Sequence, residues 1–233
     1  GLPQQVEGWA SRVAHPPIEL KGPMVVVPGG ETAKNDPAVL EAMIGRLHAS
    51  GLCRHGHVLV IGGGAVLDVV GLAASLVHRG LRLVRMPSTT LAQADSGVGV
   101  KNGINAQGEK NFLGTFAVPA GVACDPAWLE TLEERDFRAG FAEAVKVALV
   151  RDAAFFQRIE QEAPRIAARE MASAEPVLAS AARLHFDHIV AGGDPFELGS
   201  GRPLDFGHWS AHSLEMDSGG AIGHGEAVAI GLA

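Results

Sequence analysis

Apolar residues recur along this chain in two rhythms. In the first half they come as short unbroken runs: Met24-Val-Val-Val27, Val58-Leu-Val-Ile61, Leu81-Arg-Leu-Val-Arg-Met86 and Val122-Ala-Cys124. Such runs, separated by helix-length stretches, predict strands of a parallel sheet covered on both faces. Asp36-Pro37 offers an N-cap and a proline at the first helical position, which opens a helix to about Ser50. A second helix follows Gly62-Gly63-Gly64 and reaches about His78. After Asp125-Pro126 the spacing turns helical, with helices predicted over roughly 126–132, 135–149, 152–170, 173–190, 204–216 and 224–233. The pattern divides the chain into an α/β domain over 1–125 and an all-helical domain over 126–233. Both ends read as cut. The start enters without a first strand, and Glu226–Ala233 is an apolar helix with no stop signal. A fragment of a longer protein is therefore expected.

Composition narrows the function. The 233 residues carry a net charge of −7, which argues against a nucleic-acid binder. The stretch Val58 to Val77 has the length of a membrane span, but it contains three consecutive glycines and Asp68 and reads as strand, turn and helix. Cys53 and Cys124 make neither a metal pair nor a disulfide framework, which suits a reducing cytoplasm. The first residues hold no apolar core segment of a signal peptide.

The polar residues that break the pattern carry the chemistry. His208 and His212 share one helix face at i, i+4, and His224 opens the next helix. Glu143 and Lys146 form an i, i+3 pair on another helix. Histidines with a carboxylate suit a divalent metal, and the lysine adds a cation for an anionic substrate. His15, His48, His55, His57, His78, His185 and His188 read as core or surface. The strand–Gly62-Gly63-Gly64–helix arrangement can cradle a pyrophosphate on backbone N–H groups, and serves equally as a plain tight turn. Asp68, one helical turn on, either orients that loop or touches a dinucleotide. Glu31 and Lys34 follow the first apolar run, in a loop that either holds a ribose or is simply solvated. Thr89 and Thr90 lie just past the third run, where ligands of open α/β sheets bind. Asp95, Lys101, Lys110 and Asn111 sit in a glycine-rich stretch that is either a binding loop or a mobile surface hairpin.

Taken in order, these segments resemble the dehydroquinate synthase-type sugar phosphate cyclases. The resemblance runs through Pro28-Gly-Gly-Glu31, Gly62-Gly-Gly64, His78-Arg79-Gly80, Pro87-Ser-Thr-Thr90, Asp95-Ser, Lys110-Asn111, Ala142-Glu-Ala-Val-Lys146, Asp205-Phe-Gly-His208 and His224-Gly-Glu226. It implies a Rossmann-like NAD-binding domain of parallel sheet, then an all-helical metal-binding domain. It implies Glu143, His208 and His224 as ligands of a divalent metal, zinc ahead of cobalt. His212 is implied to serve the phosphate and its proton transfer. Asp95, Lys101, Lys110, Asn111, Lys146 and Arg79 match substrate-contacting positions, and Glu31, Lys34, Gly62, Gly63, Asp68, Thr89 and Thr90 match NAD-contacting ones. The implied reaction begins with oxidation of a ring carbinol by NAD, which acidifies the neighbouring C–H. Phosphate elimination, re-reduction, ring opening and an aldol closure to a carbocycle follow. The implied partner is a phosphorylated seven-carbon sugar or keto acid; a homodimer is compatible, and the oligomeric state stays open.

Two departures bear on the substrate. Asp205 stands where the dehydroquinate synthase pattern carries an asparagine. Gly201 stands where it carries the arginine that recognises a carboxylate, with Arg202 out of register. Three readings follow: a 3-dehydroquinate synthase or close homologue, a sedoheptulose 7-phosphate cyclase making a valiolone-type cyclitol, and an iron-type polyol dehydrogenase. A catalytically silent NAD- or metal-binding protein is a further class.

Overall fold

The computed structural model describes residues 19–192, 196, 198, 205–219 and 221–233. Asp194, Glu197, Gly201 and Arg202 lie outside them. A turn of helix, α1 (Thr32–Asn35), leads into α2 (Pro37–Ala49). The Asp36 carboxylate accepts from the Ala38 amide at 2.9 Å, which satisfies a donor that the helix start would leave unpaired. Strand β1 (His57–Gly62), helix α3 (Gly64–Leu76) and strand β2 (Arg82–Pro87) form a parallel unit, and β5 (Gly121–Val122) joins the far edge of β2. The register pairs His57 with Arg82 and Gly62 with Pro87. The glycine turn and Pro87-Ser-Thr-Thr90 therefore leave the sheet side by side.

Met24–Val27 forms no strand among the described residues, and Val26 is 84 % exposed. An apolar run becomes a strand only where a neighbour completes its ladder. Val27 instead packs on the cores beneath α3.

The glycine-rich stretch is a hairpin, β3 (Lys101–Ala106) against β4 (Glu109–Phe116). Gln107 and Gly108, at its tip, both have positive φ (55° and 80°), as a two-residue primed turn requires. A π-helical turn, Ala92–Ser96, precedes the hairpin and carries Asp95.

Beyond a short 3-10 turn at Pro126–Thr131 come α4 (Glu134–Ala139), α5 (Phe141–Arg151), α6 (Ala153–Ala167), α7 (Met171–Ala191), α8 (His208–Asp217) and α9 (His224–Leu232). Phe137, Val147, Phe155, Ile159, Val177 and Leu178 build their core, with Ala94 of the π turn packed among them. Full burial of each large apolar side chain contributes roughly 1.5–3 kcal/mol. Where α9 crosses α4 and α8, glycine permits the approach. A Cβ on Gly225 would collide with the Ala139 carbonyl, and one on Gly231 with the Gly207 carbonyl.

Candidate active site

Helix α5 supplies the floor of the site. Glu143 and Lys146 lie on the face that also buries Ala144 and Val147, so both charged groups are carried into the core, at 1 % and 2 % exposure. They pair with each other, and Lys146 Nζ also stands 3.4 Å from Asp95 Oδ2. Isolated buried charges cost several kcal/mol each, so the pairing is a condition of the packing. Burial pushes the Asp95 carboxyl up, but His185 and Lys146 outweigh it and hold the group well below the usual range. For Lys146, burial pulls down, while Asp95 and Glu143 prevail and raise it.

The helical arm α8–α9 adds the histidines. Nε2 of His208 lies 3.4 Å, and Nε2 of His224 3.5 Å, from the same Glu143 oxygen. Each ring's Nδ1 is turned to an acceptor: the Phe206 carbonyl at 3.4 Å for His208, Glu215 Oε2 at 3.0 Å for His224. Both rings thus direct Nε2 inward, and the three ligand atoms lie within 4.8 Å of one another. Two carboxylates, the buried Glu143 and the half-buried Asp95, face one ammonium here. The excess negative charge and two inward imidazole nitrogens are a donor set that fits a divalent cation, with three protein ligands leaving positions for substrate. His212 is exposed, with its ring centroid 5.7 Å from that of His208 and 6.2 Å from that of His224. Burial and the neighbouring imidazoles lower its pKa. Asp205 is exposed at the start of α8, its carbonyl accepting from the His208 amide at 2.8 Å.

The α/β side is built from backbone and cross-links. Gly63 is the N-cap of α3 in extended conformation. A Cβ there would come within 3.1 Å of Thr89 Cγ2, and one on Gly64 within 2.9 Å of Ser96 Oγ. Bare backbone at a helix N-terminus, next to the carboxyl ends of the strands, fits the pyrophosphate of a dinucleotide. Lys34 Nζ donates to Asp68 Oδ2 at 2.8 Å and to Asn111 Oδ1, which ties α1, α3 and β4 together. Burial raises the Asp68 pKa against the opposing pull of Lys34. Asn105 Nδ2 donates to Glu31 Oε2 at 3.0 Å, and Lys110 Nζ stands 3.9 Å from Glu31 Oε1. Lys101 begins β3, exposed, at the mouth of this region.

Two assignments sit elsewhere than expected. Arg79 lies exposed before β2, at the sheet's amino edge, whereas the other groups gather at the carboxyl edge. A six-residue strand separates the two edges by about 20 Å. This chain therefore does not bring Arg79 to its own site. Thr90 is fully buried, its hydroxyl donating to the Asp136 carbonyl at 2.9 Å and accepting from the Gly140 amide at 3.2 Å. It stitches the two halves together, and only Thr89 of the pair faces the glycine turn.

Three residues were not singled out by the sequence reading. His185, taken as core or surface, places Nδ1 3.0 Å from Asp95 Oδ1. Glu215 joins Lys110 and His224, and its position three residues after His212 on the same face was the available signal. Burial opposes ionisation of Glu215, but His224 and Lys110 hold its pKa down at about 2. Arg85 is wholly buried in β2 and donates to the carbonyls of Gly99 and Lys101, each at 2.9 Å, and to Asn102 Oδ1 at 2.6 Å. A charge inside an otherwise apolar strand was its mark in the sequence.

The 3-dehydroquinate synthase N-terminal family matches residues 24–139, and the C-terminal family matches 140–233. The chain belongs to the 3-dehydroquinate synthase family. A 3-dehydroquinate synthase of Ruegeria sp. (strain TM1040) is 39 % identical over 230 residues, covering 98 % of this chain and 60 % of that protein. The chain thus spans a little over half the length of the curated relatives it matches. Among solved structures, ValA (2-epi-5-epi-valiolone synthase) from Streptomyces hygroscopicus subsp. jinggangensis 5008, with NAD+ and Zn2+ bound, superposes with a TM-score of 0.82. It is 35 % identical, over 88 % of this chain and 57 % of that one. A 2-deoxy-scyllo-inosose synthase complexed with carbaglucose-6-phosphate, NAD+ and Co2+ gives 0.76 at 28 % identity, over 88 % and 55 %.

Proposed function

We propose that this family member carries the active site of an NAD- and metal-dependent sugar phosphate cyclase, one that eliminates phosphate and closes a carbocycle in the manner of 3-dehydroquinate synthase. The observation that carries the reading is the convergence of Glu143, His208 and His224 beside Lys146 and Asp95, with Ser96, the next residue after Asp95, set against Gly64 of the glycine turn. Glu143, His208 and His224 would hold the divalent ion, zinc or cobalt; Gly62, Gly63, Asp68, Thr89, Glu31 and Lys34 would hold NAD. When bound, the ion supplies Lewis acidity to a substrate oxygen and NAD a reversible hydride acceptor.

The chain's own residues do the rest. Lys146, fixed between two carboxylates, holds a cation where negative charge develops on a substrate oxygen. Asp95, anchored by His185 and Lys146, accepts from a substrate hydroxyl and orients it. Lys101, Lys110 and Asn111 line the hairpin side and grip the phosphate, with Lys110 and Lys101 matching its charge. His212, exposed beside the two histidine ligands, exchanges a proton with the phosphate as it leaves. Thr90 ties the two parts together at their seam through Asp136 and Gly140.

A sedoheptulose 7-phosphate cyclase is the second reading. It is supported by Asp205 and Gly201, which replace the asparagine and the carboxylate-binding arginine, and by the likeness to a valiolone synthase. A polyol dehydrogenase would have no use for the lysines gathered at Glu31, Asp95 and Glu215. Among the described residues no helix is long and apolar enough to cross a membrane. The test is inorganic phosphate release by the full-length protein with NAD and zinc. The seven-carbon keto-acid phosphate and sedoheptulose 7-phosphate are compared side by side. Phosphate release without net NADH formation supports a cyclase, and the preferred substrate chooses between the readings. Net NADH formation without phosphate release overturns both.

A further inference from the structure

Glu215 touches neither substrate nor cofactor in the reading above, yet its carboxylate joins two groups that do. It projects from α8 with 7 % exposure. One oxygen lies 3.0 Å from Nδ1 of His224, on α9, and the other accepts from Lys110 Nζ, on β4, at 2.6 Å. The link therefore spans 105 residues of sequence and both halves of the molecule. We propose that Glu215 is a positioning residue: it holds His224 with its Nδ1 protonated and its Nε2 directed at the metal position, and Lys110 clamps the carboxylate in that pose.

An imidazole can present either nitrogen to an ion, and the hydrogen bond made by the other nitrogen decides which. A carboxylate partner also makes the ligating nitrogen more basic than a carbonyl partner does. His208 has only the Phe206 carbonyl at 3.4 Å, so the two histidines are unequally supported. His224 is the better-supported of the two. Lys110 contributes by taking the second oxygen, which prevents the carboxylate from rotating out of line with the ring. The same lysine is a substrate-side cation in the proposed function, so the metal position and the hairpin share one carboxylate.

An alternative use of the same atoms exists. His212, Glu215 and His224 together could themselves surround an ion, with the His224 Nδ1 side turned to it. Glu215 would then be a ligand and Lys110 a competitor. The Lys110 bond at 2.6 Å favours the positioning role, because the ammonium already compensates the carboxylate charge that would draw a second ion.

The inference rests on the metal site read above, and the experiment separates the two. Full-length protein is titrated with Co2+ against a competing chelator, with the visible absorption bands of the bound ion as the signal. NAD affinity and the thermal midpoint are followed in parallel. Glu215→Ala is expected to weaken Co2+ binding about 10–100-fold and to shift its absorption bands. NAD affinity should stay within about twofold. Glu215→Gln keeps the side-chain volume, and its single oxygen cannot serve both partners, so a smaller loss in the same direction is expected. Should Glu215→Ala fold poorly, Glu215→Gln carries the test. Co2+ affinity within twofold of wild type in both variants overturns the inference. So does a loss of NAD affinity in step with Co2+, which marks a general disturbance. Two ions per wild-type chain, one of them lost in Glu215→Ala, overturn it in favour of the ligand role. If Glu143→Ala binds Co2+ as well as wild type does, the metal-site reading itself fails, and the inference with it.

Discussion

Helix α5 and the β3–β4 hairpin deliver lysines to the same site by different means. Lys146 is locked in the core between Glu143 and Asp95, on a helix whose other buried positions pack against α7. Lys110 rides on an outer strand whose Phe112 and Leu113 are half-exposed, and its contacts with Glu215 and Glu31 hold it down. In the first place, function and stability use the same atoms. In the second, they are separated. The lesson is that burial makes a charged residue part of the fold, while an exposed strand lets one be changed for function alone.

The sharpest test of that contrast is Glu143→Ala. It should abolish metal retention and turnover, and lower stability by about 3 kcal/mol, because Lys146 is left buried with one partner fewer. Metal content and a denaturant midpoint read both effects. His208→Ala should also lose metal and turnover, but with a stability change under about 1 kcal/mol, since His208 is less deeply set. Equal stability losses in the two variants would break the distinction between core and rim.

On the hairpin side, Lys101→Ala should cut turnover about 100-fold while the NAD dissociation constant and thermal midpoint hardly move. Weakened NAD binding with turnover intact would transfer Lys101 to the cofactor site. Arg85→Met tests the root of the hairpin. It leaves the carbonyls of Gly99 and Lys101 without their buried donor, so stability should fall by about 3 kcal/mol. Turnover should fall about tenfold through the displacement of Lys101. The smallest effect is expected from Arg183→Ala, which removes an exposed i, i+4 pair with Asp187 on α7. A change under about 0.5 kcal/mol and unaltered turnover would confirm that the outer face of α7 is a solvated surface.

Much of the architecture was readable in advance because it is encoded locally. The alternation of apolar runs and helical spacing located β1, β2, α2, α3 and the helices from α6 to α9 within a few residues, and Asp36-Pro37 marked the start of α2; the single helix expected over 135–149 is two, α4 and α5, divided at Gly140, and the one expected over 126–132 is a 3-10 turn. Met24–Val27 shows where that logic stops, since the run is apolar but its ladder depends on a distant partner. The hairpin is not specified locally, because a glycine-rich polar segment has no hydrophobic period to read.

The candidate site divides along the same line. His208 with His212 and Glu143 with Lys146 were visible as pairs because helical periodicity places i, i+3 and i, i+4 residues on one face. That α9 brings His224 to Glu143, 81 positions away in the chain, was reached by resemblance and is realised by packing. Glycine at 225 lets the helix approach the Ala139 carbonyl. Thr90 and Arg79 show the reverse: both lie in matching segments, but the seam takes up one hydroxyl and a full strand length removes the other side chain.

By itself, then, the sequence determined the repeating order of strands and helices, the acidic surface, the glycine turn and which chemical groups share a helix face. These follow from backbone geometry acting over a few residues. Only the tertiary structure decided that His185 anchors Asp95, that Arg85 holds the turn before the hairpin, and that Glu215 joins Lys110 to His224. Each of those contacts joins groups beyond the reach of helix or strand periodicity, and it forms because packing withdraws at least one partner, His185, Arg85 or Glu215, from solvent.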